Sequence, residues 1–389
     1  MARAKPTWRK ILNARFLRWW GLRLLVRLFP ALGRRLAFFP DHVDMIAAAD
    51  KVLMNEVYPI PAEEITPHMD FLRLCDARDS KAADLKLPNG AVTGRRTALY
   101  TRPWIDSVQS SVLLPDRGQM VLVRGESATF NAISARFNRK RVDVPGRVFA
   151  PLVTRNYFHL LLENGVRLLD LLESGLVSDA PLTIVTPAGG TKVETALYQG
   201  ICALHPCTKL KIVDRDALVL PDEAVIHFPP DNYWEWPPLS RDATDRLAEA
   251  FDAVYGDAAK TDGPEVLHIS RSGAKLRTLS NQDAFETALA DRGAQTFIAT
   301  YENHAEQIAK FRAARVVIGV HGAGLTNLAF CAPGTRVIEI FPENSVKSPY
   351  WWMAHKLGLD YRPIISGPGD YHLTFEADIE AVMSALEDA

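Results

Sequence analysis

The sequence predicts an α/β fold, and three observations carry that prediction. From about residue 155 onward, short apolar runs alternate with helical segments, the pattern of a parallel sheet with helices on its faces. Two of the runs, Val316-Val-Ile-Gly-Val and Val337-Ile-Glu-Ile-Phe, read as buried strands. Between them His321-Gly-Ala-Gly makes a glycine turn into a short helix, Leu325 to Phe330, followed by the Pro333-Gly334 turn. With 389 residues the chain is long enough for two domains of ordinary size.

Charge is near balance in sum, 45 Lys and Arg against 46 Asp and Glu, but it is uneven along the chain. Residues 1–40 hold ten Lys/Arg and no acid, which leaves 35 basic and 46 acidic residues in the remainder. Such asymmetry implies a separate job for the N-terminus. Residues 7–29 interleave Trp8, Ile11, Leu12, Phe16, Trp19 and Trp20 with Arg15, Arg23 and Arg27. No charge-free run is long enough for a transmembrane helix, and the arginines interrupt any secretory apolar core. The expectation is a basic amphipathic helix on an anionic membrane surface, with docking on the protein's own body as the alternative. A nucleic-acid partner is disfavoured, because the basic residues do not continue into a folded reader. Cysteines 75, 202, 207 and 331 form neither a disulfide framework nor a zinc spacing.

Residues 41–90 read as mixed, with Pro59, Pro61 and Pro67 marking a loop. Strands are expected at Thr97 to Tyr100, Val108 to Leu114, Gln119 to Val123 and Arg147 to Pro151, with an exposed loop at Arg136 to Arg141. Residues 155–177 form the strongest helix, from an Asn156 N-cap to a Gly175 stop. His159 and Glu163 lie four apart on one face, and Asn156 and Arg167 extend that face by a turn each way. A functional polar stripe and a solvated His–Glu pair are both open readings here. Strands at 181–187, 210–213 and 217–220 and a helix at 191–203 complete this half.

The aromatic, proline-rich stretch from Phe228 to Pro238 breaks both helix and strand and reads as the connection between domains. A second α/β unit follows: helix 241–256, strand 266–270, helix 281–292, strand 295–299, helix 303–314, then the Val316 strand. Helices from Trp351 to Leu357 and from Ala377 to Leu386 close it. The expected organisation is a basic segment 1–40, an acceptor-side domain 41–228, a linker 229–240, a donor-binding domain 241–365 and a terminal helix 366–389.

A glycine turn between a strand and a helix N-terminus offers free backbone N–H groups and a partial positive charge, which suit a phosphate or diphosphate. Arg271 and Arg277 flank a strand's C-terminal end, the edge where open α/β sheets bind ligands. Two guanidiniums facing that turn would make a diphosphate clamp. Glu339, on an otherwise apolar strand, needs a polar partner if buried, and a ribose diol would be one. Neither a G-x-G-x-x-G fingerprint nor a G-x-x-x-x-G-K-[ST] loop is present, which disfavours a dinucleotide enzyme or P-loop NTPase. Asp214 and Asp216 spell a D-x-D and read as a loop after a strand.

Three blocks in order resemble glycosyltransferase family 61: Asn156-Tyr-Phe-His-Leu-Leu-Leu-Glu; Ile269-Ser-Arg followed by Arg277 and Asn281; and His321-Gly-Ala-Gly-Leu-Thr-Asn with Pro333-Gly334, Glu339 and Pro342. The resemblance implies two Rossmann-like domains facing a cleft, the GT-B type, with the basic amphipathic helix in front. It implies inverting sugar transfer from a nucleotide-sugar donor, with no metal and no other cofactor. Carried over by motif, Glu163 is the expected base with His159 orienting substrate, and Asn156 and Arg167 lie on the acceptor side. Arg271, Arg277, Asn281, His321, Gly322, Ala323, Gly324, Leu325, Asn327 and Glu339 are the expected donor contacts. Leu160 stands where the family pattern often has an aromatic. The expected partners are a nucleotide sugar, a glycan or lipid-linked acceptor and an anionic membrane. The expected setting is the inner face of a bacterial plasma membrane, where a surface polysaccharide is built. A catalytically silent nucleotide-sugar-binding scaffold is the alternative.

Overall fold

The computed structural model describes residues 41–59, 66–75, 92–106, 111–122, 140–149, 151, 156–215, 217–228, 239–259 and 263–387, besides Gly21, Leu24, Leu25, Arg27, Leu28, Phe29 and Glu63. The amphipathic helix expected over 7–29, most of the 229–240 connection and Asp216 therefore lie outside the described residues.

Two sheets organise the chain. The first holds β1 (Asp41–Asp44), β2 (Lys51–Pro59), β3 (Val92–Thr101), β4 (Trp104–Asp106), β5 (Ser111–Leu114), β6 (Gln119–Leu122), β7 (Arg141–Phe149), β8 (Leu182–Pro187), β9 (Thr208–Val213) and β10 (Leu218–Phe228). It is mixed: β10, β7, β8 and β9 run parallel in that order, while β3 and β4 pair with β10 antiparallel. Strand β2 lies where the sequence reads as mixed. Among the described strands it pairs with β3 alone, at the sheet's margin, so its polar residues need no buried face.

The second sheet holds β11 (Val266–Ile269), β12 (Gln295–Phe297), β13 (Val316–Val320), β14 (Arg336–Pro342) and β15 (Asp360–Ser366), all parallel, in the order β12-β11-β13-β14-β15. This is a doubly wound order, and its direction reverses between β11 and β13. Pro363 hides β15 from a sequence reading. Among the described strands β15 is an edge that pairs with β14 only, where proline is tolerated.

Helices fill the space between the sheets. One continuous core joins Phe149, Ile184 and Val225 of the first sheet to Leu267, Val317 and Val337 of the second. Between them lie Leu161, Leu168, Tyr198, Phe251, Phe311, Leu328 and Met353 from the intervening helices. Helix Lys192–Leu204 meets helix Arg241–Tyr255 so closely that a Cβ on Gly200 would stand 1.8 Å from the Ala250 carbonyl oxygen. The opposite face of the second sheet packs Ile318, Ile338 and Ile340 under helices Gln282–Ala290 and Ile379–Glu387, through Phe285, Leu289 and Val382. Segment Met69–Leu74 precedes β3 in sequence yet packs on the second sheet's side, with Phe71 and Leu72 against Phe341, Trp351 and Trp352.

Candidate active site

The helix that follows β7 starts at Tyr157, with Asn156 Oδ1 accepting from the Phe158 N–H at 2.9 Å. His159–Gly165 is a π-helical turn, which then relaxes into helix Val166–Glu173. Such turns are rare and frequent at functional sites. Here Gly165 fits the turn under helix Lys192–Leu204, since a Cβ there would lie 3.1 Å from Leu197 and Leu247. The turn buries Glu163 beneath His159, with Nδ1 and Oε1 2.7 Å apart.

Across from it stands the C-terminal edge of the second sheet. Strand β11 ends into Ser270-Arg271, and β13 ends into His321-Gly322, on either side of the reversal in strand order. That crevice is where open α/β sheets hold ligands. A 3-10 helix, Ala323–Phe330, starts at the glycine turn. The N–H groups of Ala323 and Gly324 come before its first hydrogen bond, from Leu325 N–H to the Gly322 carbonyl at 3.0 Å, and such leading N–H groups have no partner within a helix.

A cavity of about 430 Å3 lies between the two walls. Asn156, Phe158 and His159 form one side, and Arg277, His321, Gly322, Ala323, Lys347, Pro349 and Tyr350 the other. Phe158 meets Tyr350 edge-on at 5.8 Å, and Tyr350 lies 5.3 Å from the His321 ring. A larger cavity, about 690 Å3, opens at the opposite end of the second sheet beside Arg292, Arg315 and Arg336. That is the N-terminal end of the strands, away from the glycine turn.

The structure therefore gathers six of the sequence-expected residues at one cavity: Asn156, His159, Arg277, His321, Gly322 and Ala323. The others stand behind it. Arg271 staples its own loop, giving Nε–H to the Arg277 carbonyl at 3.1 Å and Nη2–H to that of Leu276 at 2.7 Å. Its Nη1 occupies the space a Cβ would take at Gly322, 1.8 Å away. The glycine thus makes room for the protein's own arginine. Arg277 sits at φ +57°, in the left-handed region that favours glycine, and its N–H is held by the His372 carbonyl. Burial pulls both guanidiniums down from their ordinary values, Arg271 to about 10, with mutual repulsion adding to it for Arg271.

Asn281 exchanges two hydrogen bonds of 2.9 Å with the backbone of Ala377, pinning the terminal segment to this loop. Arg167 is buried over the Phe149 ring, 5.3 Å from its centroid. Gly324 lies under Ile269, Leu325 is core, and Asn327 is wholly buried. Asn327 Oδ1 accepts from Tyr157 O–H at 2.5 Å, and its amide gives to Gln307 Oε1 at 2.8 Å. Tyr157 in turn accepts from His304 Nε2, and His304 Nδ1 accepts from Tyr255 O–H. With those roles His304 is neutral, and burial holds it down to about 3. This chain of bonds ties the His159 helix to the glycine-turn helix.

Glu339 finds its polar partners inside the protein. Oε1 lies 2.6 Å from His321 Nδ1, and Oε2 accepts from Tyr361 O–H at 2.5 Å. Asp214, of the D-x-D spelling, pairs with Lys140. Among the described residues no group of three or more His, Cys, Asp and Glu gathers where a metal could sit, and no helix is long and apolar enough to cross a membrane.

Sequence reasoning missed Lys347, Pro349 and Tyr350. Pro349 and Tyr350 begin helix Pro349–Leu357, and Lys347 just precedes its Ser348 N-cap, after β14 at the same strand edge. Ser348-Pro349 after a buried strand was the available signal.

Residues 157–338 match the family described as Glycosyltransferase 61. A xylan glycosyltransferase of Arabidopsis thaliana is 31% identical over 125 residues, 30% of this chain and 25% of that protein. A beta-1,2-xylosyltransferase of Oryza sativa subsp. japonica is 39% identical over 69 residues, 18% of this chain and 13% of that protein. The matches thus span a quarter or less of these relatives' own lengths. The region that carries His159, Glu163, Arg277 and the glycine turn is similar to glycosyltransferase family 61.

Proposed function

We propose that this protein is a glycosyltransferase that moves a sugar from a nucleotide-sugar donor to a glycan hydroxyl at the cavity between His159 and the glycine turn. One observation carries the reading. A single cavity has an imidazole backed by a carboxylate on one wall, and two cations with a helix N-terminus on the other. In this reading the diphosphate lies against Arg277, Lys347, His321 and the N–H groups at Gly322 and Ala323. Those groups stabilise charge as the bond from the anomeric carbon to the diphosphate oxygen breaks. His159 Nε2 takes the acceptor proton as the hydroxyl oxygen attacks from the opposite face, giving inversion.

Glu163 acts on His159 through Nδ1. Its burial, and its absence from the cavity wall, support it as the positioning partner and His159 as the base. Arg271 holds the clamp loop in place. The chain is then of the GT-B type, with residues 241–365 on the donor side and 41–228 on the acceptor side. Metal-independence is part of the proposal, supported by the cations that would neutralise the leaving group.

The name of the rice relative favours xylose as the sugar, and that of the Arabidopsis relative favours xylan as the glycan. Both are plant proteins and lend no support to a bacterial surface polysaccharide, so the acceptor is proposed only as a glycan. Attachment to a membrane rests on residues 1–40 alone. The test is incubation with UDP-xylose and xylan oligomers, read by mass spectrometry. The proposal expects addition of one pentose by wild type and its loss in His159→Ala. Donor binding without transfer to any glycan would overturn the enzyme reading.

A further inference from the structure

We propose that Glu339 is a positioning residue for the donor phosphates: its carboxyl group keeps a proton, gives it in a hydrogen bond to His321 Nδ1, and so leaves His321 presenting Nε2–H to the cavity. The inference rests on reading the cavity as a donor site. Its geometry is closed. Glu339 is wholly buried on β14, with Oε1 2.6 Å from His321 Nδ1 and Oε2 accepting from Tyr361 at 2.5 Å. It lines no part of the cavity, whereas His321 does. Its route to a ligand is therefore the imidazole, in place of the direct ribose contact expected from the sequence.

The proton decides what His321 offers. With an ionised carboxylate, Nδ1 must carry the hydrogen, and Nε2 would turn a lone pair toward phosphate oxygens. With a carboxylic acid, Oε1–H donates to Nδ1 and Nε2–H becomes a donor. The surroundings favour the acid. Burial drives Glu339 up to about 8, against the Tyr361 hydrogen bond and the Arg277 charge. Burial first, then Arg277, Arg271 and Lys347, pushes His321 well below its ordinary value, which favours the neutral imidazole. The other groups facing the pair are the Tyr350 and Tyr361 hydroxyls, both raised by burial, and the Phe341 ring stacked 5.4 Å from His321. A raised carboxyl keeps its proton below its folded value and loses it above. Donor affinity should therefore fall as pH rises through about 8, with uptake of a proton on binding.

The test is calorimetric titration of the full chain with UDP-xylose between pH 6 and 9, in buffers of different ionisation enthalpy. The diphosphate diester carries constant charge there, the uracil N3–H begins to ionise only at the top of the range and does so equally for every variant, and the window stays below the Arg271 value of about 10. Wild type should lose about tenfold in affinity from pH 7 to 9 and bind up to one extra proton at the upper end. Glu339→Gln, whose amide can donate to Nδ1 in place of the acid, should bind as wild type does at pH 7. It should stay flat to pH 9 with no proton uptake. Glu339→Leu should bind weakly at every pH, and circular dichroism would show that it is folded. Flat wild-type binding that is still lost in Arg277→Ala would overturn this inference and leave the donor site standing. No binding by wild type at any pH would overturn the site reading itself.

Discussion

Tyr157→Phe removes one oxygen from the bonds that tie the His159 helix to the glycine-turn helix. Phenylalanine keeps the ring packing against Tyr301 and His304. What it loses is an acceptor for His304 Nε2–H and a donor to Asn327 Oδ1, at residues that are 2% and 0% exposed. Leaving a buried polar group unpaired costs about 1–3 kcal/mol, so two orphans predict a loss of about 2–6 kcal/mol. Urea unfolding followed by circular dichroism measures it, with an unchanged slope expected because the surface exposed is the same. His304 is neutral throughout, held to about 3, so the loss should not vary between pH 5.5 and 8. A loss below about 0.5 kcal/mol, or one that changes across that range, would refute the assignment of these bonds.

Three further variants test the same structure. Gly200→Ala places a methyl group 1.8 Å from a backbone oxygen that cannot swing aside, so two helices must part. Overpacking of this kind costs about 1–3 kcal/mol, read as a lower melting temperature, and an unchanged one would mean that the helices are not this close. At the site, His159→Ala should lower kcat by about 10²–10⁴ with KM little changed, as loss of a base does. Glu163→Gln should lower it less, because the imidazole is still present but less well held. The reverse ranking would return the base role to Glu163.

Much of the second sheet can be read from the residues because its central strands are short apolar runs with turn chemistry at their ends. Val316–Val320 and Arg336–Pro342 are of this kind, and the glycine turn between them marks the ligand edge. Strand β15 escapes that reading because Pro363 is an argument against a strand unless the strand is known to be an edge. The π-helical turn escapes it too, since His159 and Glu163 are four apart in either helix type. Polar residues in a motif do not declare which way they face. Arg271, Asn281, Asn327 and Glu339 look alike in sequence to Arg277 and His321, yet their partners are loop carbonyls, Ala377, Tyr157 and Tyr361. Motif spacing brings residues to one place, and only packing separates those that touch the cavity from those that hold it.

The central claim is that a nucleotide sugar binds at the cavity beside the glycine turn. It is tested most directly by titrating wild type, Arg277→Ala and Arg315→Ala with UDP-xylose. Arg277 lines the smaller cavity at the C-terminal strand edge, and Arg315 the larger one at the opposite end. Binding that falls by about tenfold or more in Arg277→Ala and is unchanged in Arg315→Ala is the result the account predicts. Binding unchanged in Arg277→Ala, or lost only in Arg315→Ala, would contradict it.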